Sequence, residues 1–161
     1  MSKIVPCLWF DRQAEEAARF YVSLLPDSRI DAVLNYAADT PGGAAGEPML
    51  VEFTLAGQAY MALNGGPAFP FTPAISLAIH CADQAEVDRL WDALGEGGTH
   101  EQCGWLKDRW GVSWQIAPSV VIEMLKDPDP DRARRVTQAI MEMTKLDIAQ
   151  LQRAYDGVAA A

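Results

Sequence analysis

Phe10-Asp11-Arg12-Gln13-Ala14-Glu15 and Cys81-Ala82-Asp83-Gln84-Ala85-Glu86 lie 71 residues apart, and each ends an apolar run, turns, and opens a helical pattern. Three shared letters carry little weight alone. They agree, however, with a second match, in which Gly57 and Gly111 each precede a strand late in its cycle. A duplicated module implies a pseudo-twofold arrangement in which two half-sheets can face each other across a cavity.

The first cycle reads as strand, helix and three strands. Residues 4–10 form a seven-residue apolar run, too short for a stable helix and rich in aromatic and β-branched residues, so a buried strand is predicted. Over residues 13–25, Ala14, Ala17, Ala18, Tyr21, Leu24 and Leu25 keep the spacing of an amphipathic helix, which Pro26 ends. A strand over 29–36, a Gly, Ala and Pro loop over 37–48, and a hairpin of 49–55 and 58–63 through Ala56-Gly57 follow.

The second cycle repeats the order. Residues 74–81 read as a strand, and residues 84–94 as a helix with Val87, Leu90, Trp91 and Leu94 on one face. Short strands are predicted at 99–102, 105–107 and 112–117. The fold class is therefore α+β, two βαβββ modules.

A helical tail follows. Asp127-Pro128-Asp129-Pro130 stops a short helix at 120–125, and Asp129 can cap the next, with Pro130 in its first turn. That helix carries an apolar stripe of Val136, Ile140 and Met143. Asp147 with Gln150 resembles a capping box for a last helix bearing Ile148, Leu151 and Tyr155. These stripes must pack on the sheet or on a second subunit, and a homodimer is expected.

Composition narrows the function classes. At 161 residues the chain suits one cooperative unit. A net charge of −9 argues against nucleic acid, and Arg132, Arg134 and Arg135 are flanked by Asp127, Asp129 and Asp131, as on a solvated helix side. The sequence has no apolar run long enough to span a membrane and no secretory segment at its start, so a cytoplasmic protein is expected. Cys7, Cys81 and Cys103 are widely spaced without CxxC, which suits reduced thiols.

Four segments carry a resemblance: 6–11 (PCLWFD), 14–21 (AEEAARFY), 61–67 (MALNGGP) and 103–115 (CGWLKDRWGVSWQ). They are similar to the PhnB-like branch of the vicinal-oxygen-chelate superfamily, which includes glyoxalases and bleomycin-resistance proteins and is often named for 3-demethylubiquinone-9 3-methyltransferase. The tail from Asp127 to Leu151 resembles the branch too. The resemblance implies a glyoxalase-like pair of half-barrels over 1–118, with modules of about 1–67 and 72–118, and a helical extension over 119–161.

It also implies a small-molecule cavity, with metal ligands, usually His or Glu, from the first and last strand of each module. The matching windows, 4–6, 61–63, 73–75 and 114–116, hold no His, Asp or Glu, and Gln115 is their one polar donor. A lone neutral amide cannot hold a transition metal against water. No metal or other cofactor is expected. A replacement cluster from Cys7, His80, Cys81, His100 and Cys103 is disfavoured, because His80 and Cys81 are adjacent and point to opposite faces of a strand.

The candidate ligand-binding residues are Gln115, Ser113, Ser76, Trp9, Asn64 and Trp105. Ser113 and Gln115 share one strand face, the one that lines the cavity in the family geometry. Trp9, Trp105, Trp110, Phe69 and Phe71 are aromatic lining candidates against the alternative of core packing. Asn64-Gly65-Gly66-Pro67 is a strand exit that either meets a ligand or simply turns. Glu52, acidic within an apolar strand, is a candidate general base unless its face meets solvent. Lys107 and Arg109 could bind an anion or serve the surface. The methyltransferase name requires a Gly-rich turn that leads into a helix, whereas Gly42-Gly43-Ala44-Ala45-Gly46 leads into a strand. The expected partner is therefore a small molecule of unidentified nature, handled with or without turnover.

Overall fold

Proline sets where the first strand can begin. In the computed structural model, which describes residues 3–158, β1 is Cys7–Phe10, shorter than the apolar run. Pro6 has no N–H to give a ladder, yet its carbonyl accepts from the Met61 N–H at 2.9 Å, and Ile4 ahead of it is exposed. The chain divides into two units, the first ending at Phe71 and the second beginning at Thr72.

In the first unit, α1 (Ala14–Leu24), β2 (Arg29–Asn35), β3 (Pro48–Leu55) and β4 (Gln58–Asn64) follow β1. The sheet order is β1-β4-β3-β2, with β1 parallel to β4 and the other pairs antiparallel. Alternation along the strands sends Leu8, Phe10, Val51, Phe53 and Ala62 to one face. There they are buried, as are Ala14, Ala17, Ala18 and Tyr21 of α1. By register the other face carries Cys7, Trp9, Leu50, Glu52, Met61 and Leu63. The hairpin turn places both Ala56 and Gly57 at positive φ, 47° and 79°, the pattern that matches the right-handed twist of its strands.

The second unit repeats this topology. It contains β5 (Ser76–Cys81), α2 (Gln84–Gly95), β6 (Thr99–His100), β7 (Trp105–Lys107) and β8 (Ser113–Pro118), in sheet order β5-β8-β7-β6. Again the first and last strands are parallel. Phe10 pairs with Asn64 at the end of one parallel ladder, and Cys81 pairs with Pro118 at the end of the other. The two repeats are thereby aligned residue by residue, and Met61 corresponds to Gln115.

At that aligned position the modules diverge. Asp83 caps α2 by accepting from the Glu86 N–H, so Pro118 is not needed for capping and instead leads into α3 (Ser119–Leu125). α4 (Pro130–Met141) and α5 (Ile148–Asp156) complete the tail, capped by Asp129 and Asp147 as the sequence suggests. The tail belongs to the second unit. Gln84 holds it from both sides of its amide, donating to the Leu146 carbonyl and accepting from the Ile148 N–H. Cys103 and Gly104 donate their N–H groups to the carbonyls of Met143 and Thr144, and Lys145 pairs with Asp88 at 2.7 Å.

The apolar stripes of the tail find each other. Val121, Met124, Val136, Leu146 and Leu151 form one buried cluster, with Ile140, Met143 and Tyr155 packed against it. The sequence leads one to expect these stripes on the sheet or on a second subunit; within this chain the three short helices pack them largely on one another, with Ile140, Met143 and Tyr155 only partly buried.

Candidate functional site

The candidate residues of the second unit come together on the sheet face opposite α2. By register Ser76 lies beside Ser113, which lies beside Lys107, while Gln115 lies between Ala78 and Trp105. Gln115 Nε2 donates to Ser76 Oγ at 2.9 Å. That bond fixes the plane of the carboxamide and leaves one N–H and Oε1 without a protein partner among the described residues. Ser113 is only 1% exposed, and its Oγ has no hydrogen-bond partner among the described residues. A buried hydroxyl without a partner costs about 1–3 kcal/mol, and such groups call for an explanation.

A residue that sequence reasoning did not single out positions this face. Asp108 is buried, and its Oδ1 accepts from the N–H groups of Trp110 and Val112 while its Oδ2 accepts from Trp114 Nε1 at 2.9 Å. It closes the turn between β7 and β8, and so sets the register that places Trp105 beside Gln115. An aspartate at the first position of a turn, here closed by the Gly111 N–H on the Asp108 carbonyl, is a recognisable signal of this role. Lys107 and Arg109 are engaged in ion pairs with Glu101 at 3.2 Å and Glu96 at 3.5 Å. Arg109 also lies over the Trp110 ring.

The first-unit candidates have other tasks. Asn64 is buried on the helix side, where Oδ1 accepts from the Ala14 N–H at 2.8 Å and Nδ2 donates to the Pro48 carbonyl at 2.9 Å. Both ends of its amide serve the fold. Trp9 covers Gly65, where a Cβ would come within 2.2 Å of its ring, and Trp9 Nε1 donates to the Gly66 carbonyl. Phe69 and Phe71 meet Trp9 and Phe10 edge-on, both at 5.1 Å. Glu52 is exposed and in register with Met61, so it occupies the position that Trp105 holds in the second unit.

The donor set does not suit a metal. On β1, β4, β5 and β8 the faces opposite the helices present Cys7, Trp9, Met61, Leu63, Ser76, Ala78, His80, Ser113 and Gln115. Among the described residues no group of three His, Cys, Asp or Glu side chains could hold an ion. Cys81 is buried, and burial first, then the Glu86 charge, pushes its thiol up to about 12. His100 stacks on Trp91 at 4.6 Å. A separate groove of about 540 Å³ lies in the tail between Arg135, Met143, Arg153 and Val158. Its Arg135 is occupied by the Ala154 and Tyr155 carbonyls.

Two four-stranded mixed sheets, each of βαβββ order and backed by one helix, define a glyoxalase-like protein. The family model described as 3-demethylubiquinone-9 3-methyltransferase matches residues 2–117, and the chain belongs to this PhnB-like family of the vicinal-oxygen-chelate superfamily. Among solved structures it is similar to a PhnB protein from Bacillus cereus, provisionally described as that methyltransferase. Identity is 35% over 71% of this chain and 97% of that one, with a TM-score of 0.65. A Pseudomonas aeruginosa protein is 27% identical over 71% of this chain and 95% of its own, with a TM-score of 0.58. No curated protein matches significantly. The family match ends before α3, so the resemblance read in the tail has no counterpart in it.

Proposed function

We propose that this chain binds a small organic molecule without a metal, on the face of the β5-β8-β7-β6 sheet centred on Gln115. The observation that carries this reading is the Ser76–Gln115 hydrogen bond beside the buried, unpartnered Ser113 hydroxyl. A few polar groups set beside Trp105, Ala78 and Ala117 are how a small-molecule site fixes orientation. No residue on that face is arranged as a nucleophile with its base, so binding is better supported than turnover. The protein is proposed to be cytoplasmic, consistent with three free cysteines. Among the described residues no helix is long and apolar enough to cross a membrane.

Methyl transfer, the activity in the family's description, finds little support in the chain. Gly42 and Gly43 are packed against Tyr36, and the loop that holds them leads into β3 rather than into a helix that could receive a nucleotide. Calorimetry with S-adenosylmethionine is expected to give no binding heat.

The direct test is elemental analysis and native mass spectrometry of protein purified without chelator. Substoichiometric metal and a small organic adduct, lost in Gln115→Ala, are expected. One tightly held zinc or nickel per chain would overturn the reading. Recovery of the compound unchanged after incubation would favour sequestration over catalysis. A homodimer remains part of this proposal on the strength of the resemblance, and a monomeric mass by light scattering would remove it.

A further inference from the structure

We propose that the ligand is a neutral, planar ring carrying adjacent C=O and N–H groups, a lactam or imide, which lies against Trp105 with its polar edge on Gln115. This rests on the binding reading above and adds the class of molecule.

Register places three kinds of surface around one point. Ala78 is exposed and Ala117 half-buried, and both lie on the same face of β5 and β8 as Gln115. Each adds only a methyl group to that part of the face. Half-buried Trp105 lies directly across from Gln115, and exposed His80 lies two positions beyond Ala78. An indole beside a stretch of sheet that carries only methyl groups suits a flat ring better than a branched or globular ligand.

The polar side of the site selects further. With one N–H given to Ser76, the Gln115 carboxamide has one donor and one acceptor left, which are best satisfied together by a ligand that offers an acceptor and a donor side by side. A ligand with only one of them leaves a polar group of the site unpaired, which is the strongest source of discrimination against near-isosteres. The lysine on this face, Lys107, is paired with Glu101 at 3.2 Å, and that carboxylate offsets its charge and repels an incoming carboxylate or phosphate. Neutral ligands are therefore favoured over anions.

The test is a titration of the full 15N-labelled chain with three compounds of similar size: uracil, benzoate and indole. The readouts are the Gln115 side-chain NH2 signals, assigned by their absence in Gln115→Met, and the Trp105 indole signal, assigned by its absence in Trp105→Leu. Uracil is expected to shift both signals saturably, with affinity at least tenfold weaker in either variant. If benzoate or indole shifts both signals at lower concentration than uracil, the lactam class is wrong while the site stands. If none of the three moves either signal, the site itself falls with the class.

Discussion

The Asn64 side chain accepts the Ala14 backbone N–H at 2.8 Å across 50 residues of sequence, and so caps α1 from the end of β4. Helix α1 has no capping bond from its own Gln13. The strand thus supplies what the local sequence lacks, and ties the helix to the sheet at the crossover point. Removing the amide leaves a buried N–H and the Pro48 carbonyl unpaired. Asn64→Ala is expected to lower stability by about 1–3 kcal/mol, read as a shift in urea midpoint at unchanged slope. An effect confined to ligand binding would show that the cap is dispensable.

The fold was readable because its signals are local. The Ala56-Gly57 hairpin and the Asp129 and Asp147 caps lie within a few residues of the elements they specify, and each copy of the repeated strand-turn-helix motif is six residues long. The roles of Asn64 and Trp9 were not readable in the same way. Asn64 stands next to two glycines, which suits a ligand loop equally well, and only the parallel pairing with β1 brings it under α1. The missing Ser, Thr, Asp or Asn at the start of α1 was the available hint that a cap must come from elsewhere. Ser113 and Gln115 could be placed on one face by alternation. The link to Ser76 needed the register of a strand 39 residues away.

Asp108 makes three side-chain hydrogen bonds within seven residues, to Trp110, Val112 and Trp114. All three donors lose their acceptor in Asp108→Ala, and the β7–β8 register is no longer pinned. A loss of at least about 2 kcal/mol is expected, since hydrogen bonds to charged groups are the stronger kind. The near-ultraviolet dichroism of Trp114 should change with it. A variant with wild-type stability would mean that the turn is held by its backbone bonds alone.

Acid should loosen the tail before the sheets. The Tyr155 hydroxyl, then the Asp129 backbone N–H, hold the Asp127 carboxyl below its usual range, and Lys145, then Gln84, do the same for Asp88. A depressed folded-state pKa gives stability that is present above the unfolded value and lost as pH falls through the folded one. The loss therefore falls below about pH 4, and Tyr155→Phe should flatten part of it. Hydrogen exchange of α4 and α5 amides between pH 6 and pH 3 would read this directly; uniform protection across the second unit would contradict it.

Cys81 should resist thiol reagents in the native protein. It is buried, and its pKa is pushed up to about 12 by burial first, so at pH 8 almost none is thiolate. Cys7 is exposed, and although partial burial raises its thiol as well, it should label ahead of Cys81. Mass spectrometry after iodoacetamide treatment would locate the label, and native modification at Cys81 faster than global unfolding would reveal an opening of the α2–β5 packing.

The alignment of the two modules supplies a substitution that separates folding from binding. Gln115 corresponds to Met61, since each sits on the last strand of its unit, in register with Ala78 or Cys7 on the parallel neighbour. The same position of the same topology thus already carries Met once in this chain. Gln115→Met gives up one part-buried hydrogen bond to Ser76, and stability should change by no more than about 1 kcal/mol. Any small-molecule adduct should vanish. A thermal melt paired with native mass spectrometry reads both quantities on one sample. Retained adduct in a folded Gln115→Met protein would move the site away from this face, and a collapsed fold would show that Gln115 belongs to the architecture.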